Sequence, residues 1–262
     1  MTVSIPLAER SVEDLPGHWL LARLGKRVLR PGGRGLTESM LRSAQIPGSD
    51  VVELAPGLGK TAALILENGP RTYTGVDEDP DAVASTSAVV GEGGTVVEAA
   101  ASQTGLADAS ADLVVGEAML TMQGDKAKTT IVEEAHRVLR PGGRYAIHEL
   151  ELEPDTLADE QKTEIRKALA RSIKVNARPL TTDEWVHLFE THGFRVEHVD
   201  HAPMALLKLG RNLEDEGVRG VLTIAFNLLR NPGAFRRVAG MRKVFTRYQD
   251  NISAIALVAV KQ

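Results

Sequence analysis

VVELAPGLGKTA, residues 51–62, passes from a β-branched run through a glycine turn into a helical segment. Gly57 and Gly59 remove side chains where backbone amides can face a ligand, and the N-terminus of the following helix favours anionic groups. About twenty residues on, TYTGVD (72–77) reads as a second strand closed by Asp77, a carboxylate placed to accept hydrogen bonds from both hydroxyls of a ribose. The turn is not a dinucleotide fingerprint, because Ala55 stands at the first glycine position and Pro56 follows it. Gly59-Lys60-Thr61 does not end a P-loop either, since Leu54 occupies the place of the leading glycine. An adenosine-type ligand fits this pairing of turn and acid. The plainer reading is a tight turn beside a solvated acid.

Working outward, DVVELA (50–55), TYTGVD (72–77), TVVEA (95–99), DLVVGEA (112–118) and RYAIHEL (144–150) read as strands. Helical segments separate them: Thr61–Glu67, a helix capped by Asp79 with Pro80 in its first turn, and Lys128–Arg140. Near-continuous apolar strands alternating with helices imply a parallel sheet covered on both faces. Beyond Leu150 the pattern predicts a helix over Asp155–Ala177. A second opens on the capping box Thr181-x-x-Glu184, with Trp185, Leu188 and Phe189 inward and Gly193 at its end. FRVEHVDH (194–201) and ISAIALVAVK (252–261) complete seven strands. Residues 1–40 read as a helical N-terminal segment, 41–204 as the core, 205–250 as a helical insert broken at Asn231-Pro232-Gly233, and 251–262 as the last core strand.

Composition narrows the function. A chain of 262 residues, 43% apolar and 25% charged, makes one large domain or a core with an added cap. A net charge of −4 argues against a nucleic-acid binder. The absence of cysteine removes disulfides, thiolate metal sites and cysteine nucleophiles. The histidines are scattered, so no metal is expected. The first residues carry acids and prolines where a signal peptide needs an apolar core, and no apolar run approaches a membrane span. The expectation is a soluble cytoplasmic protein.

Glu53–Gly59 resembles motif I of the class I S-adenosylmethionine-dependent methyltransferases, and Asp77 the acid of motif II. ADASADLVVGEAML (107–120) is similar to the family's stretch around strand four. EEAHRVLRPGGRYAIHEL (133–150) is similar to the strand-five region of the small-molecule branch that includes the ubiquinone/menaquinone and sterol methyltransferases. The resemblance covers roughly residues 41–200. It implies a Rossmann-like, seven-stranded, mostly parallel α/β sheet with an antiparallel last strand, and S-adenosyl-L-methionine as cofactor. It further implies that Glu53, Ala55, Gly57 and Gly59 line the methionine end, that Asp77 binds the ribose, and that Glu78 or Asp79 lies beside the adenine. Ala100 and Ala101 stand where the family often has an adenine-binding aspartate, which leaves that contact to backbone, Ser102 or Gln103, or unmade.

Methyl transfer needs alignment above all, and a general base only where the acceptor keeps its proton until attack. Glu117 closes the fourth strand, as base or as a holder of the cofactor's ammonium. His148 and Glu149 close the fifth and point to opposite faces, so at most one meets the acceptor; Glu149, nearer the tip, is preferred. The expected function is methylation of a small, partly apolar molecule. A non-methylating enzyme, such as a decarboxylase or cyclase, and a cofactor-sensing module are the alternatives.

The insert carries an apolar face, including Met204, Leu206, Leu207, Leu209, Phe226 and Leu229, and a basic second half. It reads as a cap over the acceptor pocket, or more plainly as extra packing, a solvated cationic face or a homodimer contact. Finally, VLRPGGR occurs at 28–34 and again at 138–144. Both copies read as a helix stop at the proline. In the first, the glycines and Arg34 are expected to form a flap near the cofactor's carboxylate.

Overall fold

The structure, a computed structural model, describes residues 11–26, 29–204 and 209–262, and within 209–216 and at 218 the backbone alone. Val28, Leu206 and Leu207, singled out above, lie outside the described residues, as does the side chain of Leu209. Among the described residues there are eight strands: β1 (Asp50–Leu54), β2 (Thr72–Asp77), β3 (Thr95–Glu98), β4 (Ala111–Glu117), β5 (Leu139–Leu152), β6 (Leu180–Thr181), β7 (Phe194–Pro203) and β8 (Ile252–Lys261). Their order is β3-β2-β1-β4-β5-β8-β7, with β6 pairing the end of β5. Only β8 runs antiparallel to its neighbours β5 and β7. The sheet is therefore the Rossmann-like one expected, plus the two-residue β6.

Strand alternation divides the core in two. Val52, Leu54, Val114, Tyr145, Ile147 and Leu257 face α5 (Asp125–Val138) and α7 (Thr182–Glu190), which contribute Ile131, Val132, Trp185 and Phe189. Val51, Leu113, Val115, Ala146 and Ala256 face α2 (Gly33–Ser43) and α3 (Lys60–Glu67), through Met40, Leu41, Ala62 and Ile65. Because α2 packs on the sheet, the division expected at residues 40 and 41 falls inside a core helix.

The cap signals act locally as their chemistry requires. Asp79 accepts hydrogen bonds from the amides of Asp81 and Ala82 and opens α4 (Pro80–Val90). Thr181 and Glu184 close both halves of the capping box at α7. Asn231 caps α9 (Pro232–Arg247), which follows α8 (Leu209–Arg230).

The two heptads are not one device. In the second, α5 has already ended at Val138, because Leu139 pairs with Ala111 in the sheet. Pro141, Gly142 and Gly143 then form an irregularity within β5. A Cβ at Gly143 would stand 2.9 Å from the Arg140 carbonyl. In the first, α1 (Gly17–Arg23) has ended before the heptad begins, and Gly32 is the N-cap of α2. One copy leaves a helix and the other enters one.

The N-terminal segment and the insert pack together. Leu15, Leu20, Leu21 and Leu24 meet Ala234 and Met241 of α9. Beside them α6 (Asp159–Ile173) and α9 bury Ile165, Leu169 and Tyr248 against Leu150 and Ile252 at the sheet.

Candidate active site

The C-terminal ends of β1, β2, β3 and β4 open into a cavity of about 1020 Å³, where ligands of open α/β sheets bind. Of the residues assigned above, Glu53, Ala55, Gly57, Asp77, Glu78, Asp79, Ala100, Ala101 and Glu117 line it. Gly59 does not. It is the N-cap of α3 in the left-handed region, and a Cβ there would meet Val89 at 3.1 Å. On the adenine side Ser102 also lines the cavity, whereas Gln103 does not.

Asp77 explains how the turn is held. Its Oδ2 accepts the Gly57 amide at 3.1 Å, and its Oδ1 accepts the Asp79 amide at 3.1 Å. Burial pushes this carboxyl up from the ordinary range, against those two amides. Ala55 and Ala118, at the tips of β1 and β4, both have positive φ, 53° and 54°. A left-handed alanine costs about 1–2 kcal/mol, so both walls carry local strain of the kind stored at functional sites.

Glu117 sits in a closed polar network. Its Oε1 accepts from Thr37 and lies 2.7 Å from His148 Nδ1; its Oε2 accepts from Thr61 and lies 3.3 Å from Arg30 Nε. The Gly32 amide donates to His148 Nε2 at 3.0 Å. That nitrogen is therefore the acceptor, and the hydrogen-bond network places the ring proton on Nδ1, facing Glu117. Burial alone would push Glu117 up, but the Arg30 guanidinium and the hydrogen bonds of His148 and Thr37 outweigh it and hold the carboxyl at about 2.

Glu53 has the opposite state. Burial pushes it up to about 8 against the Tyr73 hydroxyl, which donates to Oε2 at 2.7 Å, while the charges of Glu117 and Asp77 push it further. At neutral pH one wall of the cavity thus holds a neutral carboxyl and another a carboxylate.

Glu149 faces the other side of β5, where its carboxylate accepts the amides of Met119, Leu120 and Thr121 at 2.7–3.0 Å. Burial raises it despite those donors. It orders the turn after β4. Arg34, expected near the cofactor, does not line the cavity: it lies on the outer face of α2, 61% exposed, and pairs with Glu38 at 2.6 Å. Arg30, four residues earlier, lies buried in the cavity wall, which Arg178 also lines.

The structure adds His18, Trp19, Arg30 and Thr61 to the walls. Trp19 covers the motif turn, its Cη2 standing 3.7 Å from where a Gly57 Cβ would be. The signal for this pair was present: Trp19 is the one Phe, Trp or Tyr in the first forty residues. A second, apolar cavity of about 60 Å³ shares His18, Leu29, Ala118 and Met122 with the first. Leu21 of α1, Ile173 of α6 and Met241 and Phe245 of α9 close it. Of its polar walls, Glu149 and Thr121 accept backbone amides, whereas the buried Nδ1 of His18 has no hydrogen-bond partner.

A strand-turn-helix cradle with an acid after the second strand defines a nucleoside-cofactor site at the edge of a Rossmann-like sheet. A methyltransferase domain family model matches residues 52–147. An uncharacterized protein of Haemophilus influenzae is 33% identical over 257 residues, covering 95% of this chain and 99% of that one. An S-adenosylmethionine-dependent methyltransferase of Geobacter sulfurreducens, solved with S-adenosyl-L-homocysteine, is similar in fold. It has a TM-score of 0.68 at 17% identity, over 95% of this chain and 100% of that one. The [4+2]-cyclase SpnF is also similar, with a TM-score of 0.65 at 15% identity over 87% of this chain and 80% of that one. The chain belongs to one family with the Haemophilus protein, and its residues 52–147 make a methyltransferase domain of the class I, S-adenosylmethionine-dependent kind.

The residues present fit this cofactor. The close approach at Gly57 leaves room that a side chain would take, and carboxyl groups at Glu53, Asp77 and Glu117 suit a ligand bearing an ammonium, a sulfonium and a ribose. Arg30, paired with Glu117 at 3.3 Å, is a buried cation in the same wall.

Proposed function

We propose that the chain methylates a small, partly apolar molecule held beneath α1, α6 and α9. The observation that carries this reading is the apolar recess that shares Leu29, Ala118 and Met122 with the large cavity, beside Glu117; at about 60 Å³ it takes an apolar part of the acceptor, whose remainder lies in the large cavity. S-adenosyl-L-methionine supplies an electrophilic methyl group when bound. Glu53, Asp77 and Arg30 would hold its methionine and ribose ends, and Ala100, Ala101 and Ser102 its adenine. On this reading residues 11–26 and 209–247 form the cap, over a core from α2 to β8.

The three carboxyl and imidazole groups expected as bases serve as positioning residues. Glu117 accepts four partners and is held too acidic to take a proton near neutral pH. His148 Nε2 is occupied by the Gly32 amide, and Glu149 by three others. With these three engaged, His18, which lines both cavities and whose buried Nδ1 has no hydrogen-bond partner, is the imidazole left to receive a proton from an acceptor that keeps one until attack. Chain residues align the acceptor and exclude water, the largest contribution open to a protein in such a displacement.

The experiment is to add the purified protein and methyl-labelled cofactor to a cell extract, then identify the labelled product. Label in a small metabolite with equal release of S-adenosyl-L-homocysteine supports the reading. A second reading, suggested by the likeness to SpnF, is a non-methylating enzyme on the same fold; product formation with the cofactor left intact would support that instead.

A further inference from the structure

From Arg219 to Gln249 the chain contains seven Arg and Lys residues and not one Asp or Glu, within a protein of net charge −4. The same stretch holds four of the five large apolar side chains left exposed among the described residues. These are Leu222 at 63%, Phe226 at 56%, Leu229 at 81% and Phe235 at 56%. Leu222, Phe226 and Leu229 stand at i, i+4 and i+7, so they form one stripe along α8. Arg230 lies over the Phe226 ring, 5.2 Å from its centroid, at the end of the stripe. Phe235 continues it across the turn into α9, whose exposed residues include Arg236, Arg242 and Lys243. The opposite face is spoken for: Asn227 donates to the Leu24 carbonyl, and Leu228 and Met241 pack on the N-terminal cluster.

We propose that this outer face of α8 and α9 docks on the surface of an anionic phospholipid membrane. The apolar stripe enters the headgroup layer and the flanking cations meet the phosphates. A helix face combining Leu and Phe with flanking Arg and Lys has the composition of an interfacial membrane binder. Two other occupants fit less well. A second copy of the chain in a two-fold contact would set this cationic strip against itself. A nucleic acid would use the cations but leave the apolar side chains in water. Among the described residues no helix is long and apolar enough to cross a membrane, so the attachment is peripheral. Docking places lipid close to the acceptor cavity, because α9 lines that cavity from its other side with Met241 and Phe245, one helix diameter of about 10 Å away.

The test is co-sedimentation with vesicles of phosphatidylcholine alone and of phosphatidylcholine mixed with phosphatidylglycerol; it needs no turnover, so it is independent of the proposed reaction. The full chain should partition onto the mixed vesicles and much less onto the neutral ones, with binding that weakens as salt is raised. Combined Arg236→Glu, Arg242→Glu and Lys243→Glu should lower partition about tenfold or more. Combined Leu222→Ser, Phe226→Ser and Leu229→Ser should also lower it without changing charge, while cofactor affinity and melting temperature stay at parent values, since these side chains are exposed. Failure to bind mixed vesicles overturns the proposal, as does a serine variant that binds like the parent. A parent dimer in sedimentation equilibrium that the serine variant dissociates would assign the face to a second copy instead. Tighter binding to duplex DNA or RNA than to vesicles would also overturn it.

Discussion

His148 Nδ1 lies 2.7 Å from Glu117 Oε1, and the same ring accepts the Gly32 amide on Nε2 at 3.0 Å. This one imidazole joins the tips of β4 and β5 to a loop that precedes the sheet. Arg30 of the first heptad and Thr37 of α2 add their own contacts to Glu117, so the first heptad is latched to the tip of β4 at the cavity wall.

His148→Ala should cost about 1–3 kcal/mol of stability in urea melts, because the Gly32 amide loses its partner in a buried site. His148→Asn keeps a donor near Nδ1 and should preserve the pH profile of kcat. A fall of about a hundredfold or more in kcat with loss of the acidic limb would instead make His148 the proton acceptor.

Arg30→Ala should weaken S-adenosylmethionine binding at least about tenfold in calorimetry, since it removes a buried cation from the cavity wall. Arg34→Ala should leave affinity unchanged, because its guanidinium stands in solvent with Glu38. Equal losses from both would contradict the placement of Arg30.

Glu53 should link cofactor binding to protons. Its carboxyl is neutral up to about pH 8 in the free protein, and a bound cation favours its ionised form. Binding should therefore release protons near pH 7, seen as a dependence of calorimetric heat on buffer ionisation enthalpy, and affinity should rise with pH towards 8. Stability of the free protein runs the other way. Between the unfolded value of 4.5 and about 8 the unfolded chain is ionised and the folded one protonated, so this group's contribution falls as pH rises. Glu53→Gln should abolish both effects; a variant with unchanged proton release would place the linkage elsewhere.

Asp77→Asn should sharply weaken cofactor binding while the melting temperature shifts little, because one oxygen remains to accept a turn amide. Asp77→Ala should also loosen the turn, since the amides of Gly57 and Asp79 lose their acceptor. Unchanged affinity in Asp77→Asn would remove the ribose assignment.

The parts of the fold readable in the sequence are those fixed by local chemistry. β-branched runs located the strands, Asp79-Pro80 began α4 at its true first residue, and Thr181 with Glu184 marked α7. Asp77 and Gly57 were readable because turn and acid belong to adjacent strands. What escaped depends on packing between distant segments. Nothing in VLRPGGR says that Arg30 turns inward and Arg34 outward; the choice follows from how α2 rests on the sheet. Gly59 looked like a ligand contact, yet its left-handed geometry serves the cap of α3. The end of α5 was set by a sheet pairing, Leu139 with Ala111, that helix-stopping residues do not reveal. The smaller, apolar cavity draws its walls from α1, α6 and α9, and no single stretch encodes it.

β8 lies between β5 and β7, and nine of its residues pair with each neighbour. The strand that joins the two parts of the sheet is thus the last of the eight to leave the ribosome. Until it inserts, β5 and β7 each present an open edge, the kind of surface on which nascent chains associate wrongly. Closing the sheet therefore requires β8 to pair with β5, a strand far from it in the chain, which is a contact of high contact order.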